Sequence, residues 1–170
     1  MDKRYLLQPE NKMWKQGFLM KDENENVVYE AKVLKQSILG SQTVDFVNHI
    51  SNKSEQHKIG AVATTESSTN GMTNLFSVKS RFKIDGKNIW DHLHEQGVRI
   101  DSGKASGKLA MSYQVSLKGN PIATVSMSSP KGKSLIGIRY WLEVITSEEN
   151  LDLAFLTAYA IIRTEQIFYN

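Results

Sequence analysis

A twelve-residue segment near the C-terminus, LDLAFLTAYAII at residues 151–162, constrains the fold more than any other feature. Only Asp152 and Thr157 in this segment have polar side chains, so no polar stripe separates a buried face from a solvated one. Thr146 and Glu149 have the spacing of a capping box, and acidic side chains follow in the first turn, which predicts the start of a helix. A helix that is apolar on every side must be surrounded by protein or by lipid.

The length of this segment argues against a membrane span. Twelve helical residues rise about 18 Å, whereas the hydrocarbon core of a bilayer is about 30 Å thick. An anchor lying on a membrane surface is the alternative, but such helices have a strongly polar face. We therefore predict that the rest of the chain encloses the helix. The expected core residues are Leu151, Leu153, Phe155, Leu156, Tyr159, Ile161 and Ile162.

The composition is that of a globular protein, and we treat residues 1–170 as a single domain. Of the 170 residues, 40% are hydrophobic and 23% are charged, which suits a sizeable core and argues against disorder. The absence of cysteine excludes disulfides and cysteine-based zinc sites. The N-terminus, MDKRYLLQPE, lacks the apolar run of a signal peptide. These features predict a cytoplasmic protein without a transmembrane segment.

Most of the remaining sequence has the alternation of antiparallel strands. Polar turn residues at 22–26 and 118–121 predict two hairpins, the second with positive φ at Gly119 and Asn120. Asn88 is placed to cap a short helix, and a strand, KIGAVATT, is predicted to follow the polar stretch at residues 51–57. About ten strands result. The predicted fold class is mostly β: a closed antiparallel barrel of ten to twelve strands wrapped around the C-terminal helix.

Three segments carry a resemblance to a known family: YQVSLKGNPIATVSM, GIRYWLEVI and SEENLDLAFLTAYAIIRTEQIFYN. Their polarity and order resemble the LURP-one-related and phospholipid-scramblase-like group of the tubby C-terminal superfamily. That resemblance implies a closed barrel, usually of twelve strands, threaded by a hydrophobic C-terminal helix. It also implies recognition of phosphoinositide head groups by basic residues on the barrel wall. The acidic calcium-binding segment of scramblases is not matched, because VITSEEN supplies too few oxygen ligands.

Basic residues concentrate in the middle of the chain, where residues 79–139 contain eleven Lys or Arg and four Asp or Glu. In FSVKSRFKI three cations alternate along one face of a strand, about 7 Å apart. Such a row binds a phosphorylated group, or it is a solvated outer face that discourages edge pairing. A second basic pair flanks Gly132 in a predicted loop. The candidate anion-binding residues are Lys79, Arg81, Lys83, Lys131 and Lys133.

No catalytic signature accompanies these residues. His92 and His94 diverge on a helix, which argues against a zinc site, and SGKASGK at residues 102–108 is an incomplete phosphate loop, interpreted as a mobile basic loop. The sequence predicts no catalytic residue, cofactor or metal site.

The sequence favours a non-enzymatic binding module that recognises anionic, phosphorylated head groups, which would make it peripheral at a membrane. The alternative is a protein-interaction or scaffold domain that docks a partner through residues 66–74 or 102–108. Nucleic acid is disfavoured as a partner, because small polar residues instead of aromatic ones separate the basic residues.

Overall fold

The computed structural model describes residues 1–10, 17–38, 41–61, 82–104, 111–128 and 141–169. These residues form one antiparallel sheet of eleven strands and two helices. The strands are β1 (Lys3–Pro9), β2 (Phe18–Lys21), β3 (Val27–Gln36), β4 (Gln42–Asn48), β5 (Lys53–Ala61), β6 (Phe82–Ile84), β7 (Lys87–Asn88), β8 (Val98–Lys104), β9 (Met111–Leu117), β10 (Asn120–Ser128) and β11 (Trp141–Thr146). The helices are α1 (Ile89–Glu95) and α2 (Leu151–Tyr169), and a 3-10 turn at Glu148–Asn150 precedes α2.

The sheet is a meander in which the first and last strands pair. Its strand order is β7-β6-β5-β4-β3-β2-β1-β11-β10-β9-β8, and β1 lies centrally with Tyr5 opposite Val144. The two edge strands, β7 and β8, are joined by α1. The predicted mostly-β antiparallel fold with a C-terminal helix is confirmed. Among the described residues no hydrogen-bonded ladder joins β7 to β8, so a barrel closed by hydrogen bonds is not established.

Helix α2 is packed on every side over its central part. Residues 154–162 are all buried, and nine consecutive helical residues cover about two and a half turns. The ring of Phe155 stacks on Tyr29 of β3 at 4.0 Å, and Tyr159 meets Phe18 of β2 edge-on at 5.5 Å. On other sides α2 contacts α1, β10 and β11. Of the core residues expected from the sequence, Leu153 is half-buried. The others are buried: Leu151, Phe155, Leu156, Tyr159, Ile161 and Ile162.

Strand β4 shows how alternation builds this core. Its inward residues, Gln42, Val44, Phe46 and Asn48, are buried, and the three between them are half-buried. The buried amide of Asn48 makes three hydrogen bonds: its Oδ1 accepts from the backbone N–H groups at positions 50 and 51, at 3.0 and 3.1 Å. Its Nδ2 donates to Asp152 at 2.9 Å. Asn48 therefore ties the β4–β5 turn to the first turn of α2.

The predicted short helix is confirmed as α1. The Asn88 side chain accepts from the backbone N–H groups of Trp90 at 2.9 Å and Asp91 at 3.4 Å, which caps the helix start. Ile89 and Leu93 are fully buried beneath it. Gly97 follows the helix with a φ of 86°, a conformation that glycine adopts without steric cost.

The predicted capping box of α2 is wrong. Thr146 is the last residue of β11, fully buried, and its hydroxyl donates to the backbone oxygen of Ile122 at 2.8 Å. The 3-10 turn begins after Ser147, which makes no side-chain capping hydrogen bond. The Thr146 hydroxyl therefore bonds to the neighbouring strand β10. It does not cap the helix, as the sequence pattern predicted.

Three boundary predictions also change. Residues 53–57, which the predicted strand KIGAVATT did not include, belong to β5, because they pair with residues 44–48 of β4. Residues 102–104, part of the predicted mobile loop, extend β8 and pair with β9. In the β9–β10 turn the positive φ values are at Lys118 (50°) and Gly119 (88°), and Asn120 already belongs to β10.

Candidate functional site

One of the five predicted anion-binding residues, Lys83, lies within the described part of the chain. Lys79, Arg81, Lys131 and Lys133 lie outside the described residues. Lys83 is in β6, opposite Gly60 of β5, and the next residue, Ile84, is buried. Because successive side chains of a strand point to opposite faces, Lys83 is on the outer face of the sheet.

Three further lysines share this outer face. Lys32 is exposed between two buried residues of β3, and Lys35 and Lys58 are the register partners of Thr43 on its two sides. Neighbouring strands are about 4.8 Å apart, which puts the backbones of Lys35 and Lys58 about 10 Å apart. Lys58 is two residues from Gly60, the partner of Lys83. We call these four residues, Lys32, Lys35, Lys58 and Lys83, the basic face.

The basic face has four lysines, and the carboxylates of Glu30 and Asp45 lie on the same side of β3 and β4. None of the four lysines forms an ion pair with a described residue. Asp45, the register partner of Lys32, accepts from the Ser54 hydroxyl at 2.7 Å. Glu30 on the same face contacts His49 at 3.1 Å. The four lysines outnumber these two carboxylates, which leaves a surplus of positive charge on this part of the described surface.

The basic face was missed from the sequence because a bulge creates it. Lys32 and Lys35 are three positions apart, which in a regular strand puts them on opposite faces. A register shift between Val33 and Lys35 brings both to the outside. Lys58 and Lys83 meet only through the β5–β6 pairing, which joins residues far apart in the chain. The alternation in YEAKVLKQ is the available signal, and taken as a regular strand it puts Lys32 and Lys35 on opposite faces.

A second outer surface has the opposite charge. A groove of about 620 Å³ runs over β1, β2 and β11, with Leu6, Leu19 and Trp141 among its apolar lining. Arg4 pairs there with Glu143 at 3.4 Å. A hydrogen bond from the backbone N–H of Asn26 is the main cause that lowers the pKa of Asp22. We call this surface the acidic groove. Its carboxylates are Glu10, Asp22, Glu23, Glu25 and Glu143.

A third concavity lies where α2 begins. It has a volume of about 290 Å³, and its walls come from β5, α1 and the first turns of α2. Lys53, Glu55 and His57 of β5 face inward here, as register partners of buried residues of β4. We call this surface the polar cleft. It is also lined by His92, Gln96 and Asp152, over the side chains of Tyr29, Phe46, Leu153 and Leu156.

His57 is held in one orientation at the wall of the polar cleft. Its Nδ1 lies 2.7 Å from an oxygen of Asp85, and the Lys58 backbone N–H donates to the same carboxylate at 2.8 Å. Burial alone would raise the pKa of Asp85. The hydrogen bonds from His57 and Lys58 outweigh it and hold that pKa below its ordinary value. The other ring nitrogen of His57 faces Glu55 at 3.5 Å.

Asp152 and Tyr29 form the opposite wall. Burial raises the pKa of the Tyr29 hydroxyl, and the nearby charge of Asp152 and a hydrogen bond to it raise that pKa further. Asp152 itself is exposed to solvent, although one of its oxygens accepts from Asn48. The cleft therefore presents carboxylates on two sides of an aromatic floor.

The histidines give no metal site in the described part of the chain, where no group of three or more His, Asp or Glu is arranged to hold an ion. His92 lines the polar cleft, whereas His94 is exposed elsewhere on α1. Across the described ranges, no helix has the length and apolar character needed to cross a membrane. Compared with protein-family models, curated proteins and solved structures, the chain shows no significant match.

Proposed function

We propose that the protein is a non-enzymatic binding module of the tubby-like, LURP-one-related type, which recognises a phosphorylated, anionic group at a membrane surface. The observation that carries the proposal is the basic face, where four lysines share one outer surface and none of them forms an ion pair with a described residue. Lysine side chains are long and flexible, so several ammonium groups can reach one phosphorylated group. The predicted contacts of Lys79, Arg81, Lys131 and Lys133 belong to the same proposal.

The closed barrel is part of this proposal. Its support comes from α1, which joins the two edge strands and contacts β6, β7 and β8. Further support comes from α2, whose buried residues face in every direction and need a wall on every side. A barrel filled by a helix leaves its outer wall and its ends for binding, as the resemblance to tubby-like domains implies.

The test is binding to phosphatidylcholine vesicles that contain phosphatidylserine or a phosphoinositide. A triple variant, Lys35→Gln, Lys58→Gln and Lys83→Gln, removes three charges from the basic face. Each lysine near an anionic surface contributes about 1 kcal/mol, so we expect about 100-fold weaker binding. The wild-type interaction should also weaken as salt is raised, because the charges are exposed.

The matched control removes the same charge elsewhere, with Lys3→Gln, Lys21→Gln and Lys87→Gln. It should bind vesicles nearly as tightly as the wild type, because none of these residues is on the basic face. If the two triple variants lost the same vesicle affinity, binding would depend only on the net charge of the protein. Undiminished binding by the first variant would refute the proposal.

The acidic groove favours a second candidate function, a protein-interaction domain that takes a basic partner segment. Its apolar residues and its surplus of carboxylates complement a peptide that carries Arg or Lys. A fluorescent arginine-rich peptide should bind the wild type, and binding should be lost in a Glu23→Lys, Glu25→Lys variant. Equal affinity of that variant would exclude the groove as the binding surface.

A further inference from the structure

The polar cleft is lined by charged side chains, which the buried face of a sheet does not normally carry. Lys53, Glu55 and His57 face inward on β5, whereas the inward residues of the neighbouring β4 are buried and pack on α2. Charged residues facing inward depart from the alternation that otherwise builds the core, and such departures concentrate at functional sites.

The cleft exists because β5 is only partly paired. Among the described residues, 59–61 of β5 pair with β6, whereas residues 53–57 pair with β4 alone, and α1 contacts the neighbouring strands β6 and β7. Helix α1 contributes His92 and Gln96 to the opening, and α2 contributes Asp152. Side chains from three elements therefore line one concavity. Its volume of about 290 Å³ is close to the lower limit for ligand pockets, about 300 Å³.

The groups in the cleft match an organic ammonium ion. Glu55 and Asp152 offer carboxylate oxygens from opposite walls, and Phe46 and Tyr29 add aromatic rings. Carboxylates and aromatic faces both attract ammonium groups. His57 contacts Asp85 through Nδ1 and lies 3.5 Å from one oxygen of Glu55 through Nε2, and no contact joins it to Asp152 among the described residues. Lys53 at the rim is a partner for a carboxylate on the same ligand.

We propose that the polar cleft binds a small organic molecule through its ammonium group, which Glu55 and Asp152 hold over the rings of Phe46 and Tyr29. A simple amine and an amino acid both carry this group. They differ at Lys53, which contacts the carboxylate of an amino acid and nothing in a simple amine. The site is separate from the basic face and does not depend on vesicle binding.

Three probes that share an isobutyl group test the chemistry: isoamylamine, L-leucine and 4-methylpentanoate. Binding to the full chain is followed by calorimetry and by shifts of backbone amide NMR signals. Isoamylamine and leucine should shift signals of residues lining the cleft, and 4-methylpentanoate should not. Glu55→Gln should weaken both ammonium ligands about tenfold, because it removes one charged hydrogen bond. Lys53→Gln should weaken leucine only.

Both substituted residues are exposed, so the variants should fold, and circular dichroism checks this. Asp101→Asn, which removes an exposed carboxylate outside both the cleft and the acidic groove, should leave all affinities unchanged. Equal binding by Glu55→Gln, no shifts with either ammonium ligand, or stronger binding of 4-methylpentanoate would overturn the proposal. In those cases the inward charges serve only to protect the free edge of β5 from pairing with another strand.

Discussion

Replacing Phe155 by alanine removes a large aromatic side chain that packs α2 against the surrounding sheet. Phe155 is fully buried, stacks on Tyr29 at 4.0 Å and meets Phe46 edge-on at 5.6 Å. Truncation of a buried phenylalanine costs about 3–5 kcal/mol, and each aromatic pair contributes about 0.5–1.5 kcal/mol beyond burial. Because these figures overlap, we expect a loss of about 4–5 kcal/mol in the free energy of unfolding. Equilibrium urea unfolding followed by circular dichroism measures it.

Two further variants provide comparisons for this prediction. Leu153→Ala removes a half-buried side chain of the same helix and should cost about 1–2 kcal/mol. Phe155→Leu keeps most of the volume and should cost about 1–2 kcal/mol, which provides a measurable value if the alanine variant does not fold. A loss below about 1 kcal/mol for Phe155→Ala would refute the enclosure of α2, since an exposed phenylalanine would give that result.

Three further predictions concern single contacts. Asn48→Ala should lower the free energy of unfolding by about 2 kcal/mol, because the bond to Asp152 and two turn bonds are lost; an unchanged urea midpoint would contradict this. The pKa of Asp85 is lowered in the folded state, so its contribution is present near neutral pH and is lost as the pH falls below about 4. An Asp85→Asn variant should therefore lose less stability than the wild type between pH 5 and pH 3, and parallel pH profiles would disprove the role of the His57 contact. Gly97→Ala should cost about 1–2 kcal/mol because its φ is 86°, and thermal unfolding at or above the wild-type temperature would contradict that strain.

The helix and the alternating strands were predictable because each depends on local spacing. The run from Leu151 to Ile162 lacks a polar stripe, and this alone implied enclosure. The alternation of Val44 and Phe46 identified β4, and Asn88 identified the start of α1. Hydrophobic periodicity and capping are properties of a few neighbouring residues, so they can be read without knowing the fold.

The candidate surfaces depend on pairing between residues far apart in the chain, so most of them could not be predicted from the sequence. The bulge after Val33 decides which face Lys35 occupies, and no residue type marks it in the sequence. Lys53, Glu55 and His57 look like loop residues because inward-facing charges break the usual alternation. Thr146 was assigned to a helix cap because its partner, the backbone oxygen of Ile122, lies 24 positions away. Contacts of this kind are set by tertiary structure.

The enclosure of α2 is the claim on which both the fold and the outer binding surfaces depend. Native-state hydrogen exchange of the backbone amides at residues 154–162 tests it most directly, with the exposed β2–β3 turn as the internal reference. These amides should exchange only through global unfolding, so their opening free energy should equal the free energy of unfolding and fall with urea in parallel. Exchange as fast as that of the turn, or opening that is independent of urea, would show that the helix is not held inside the sheet.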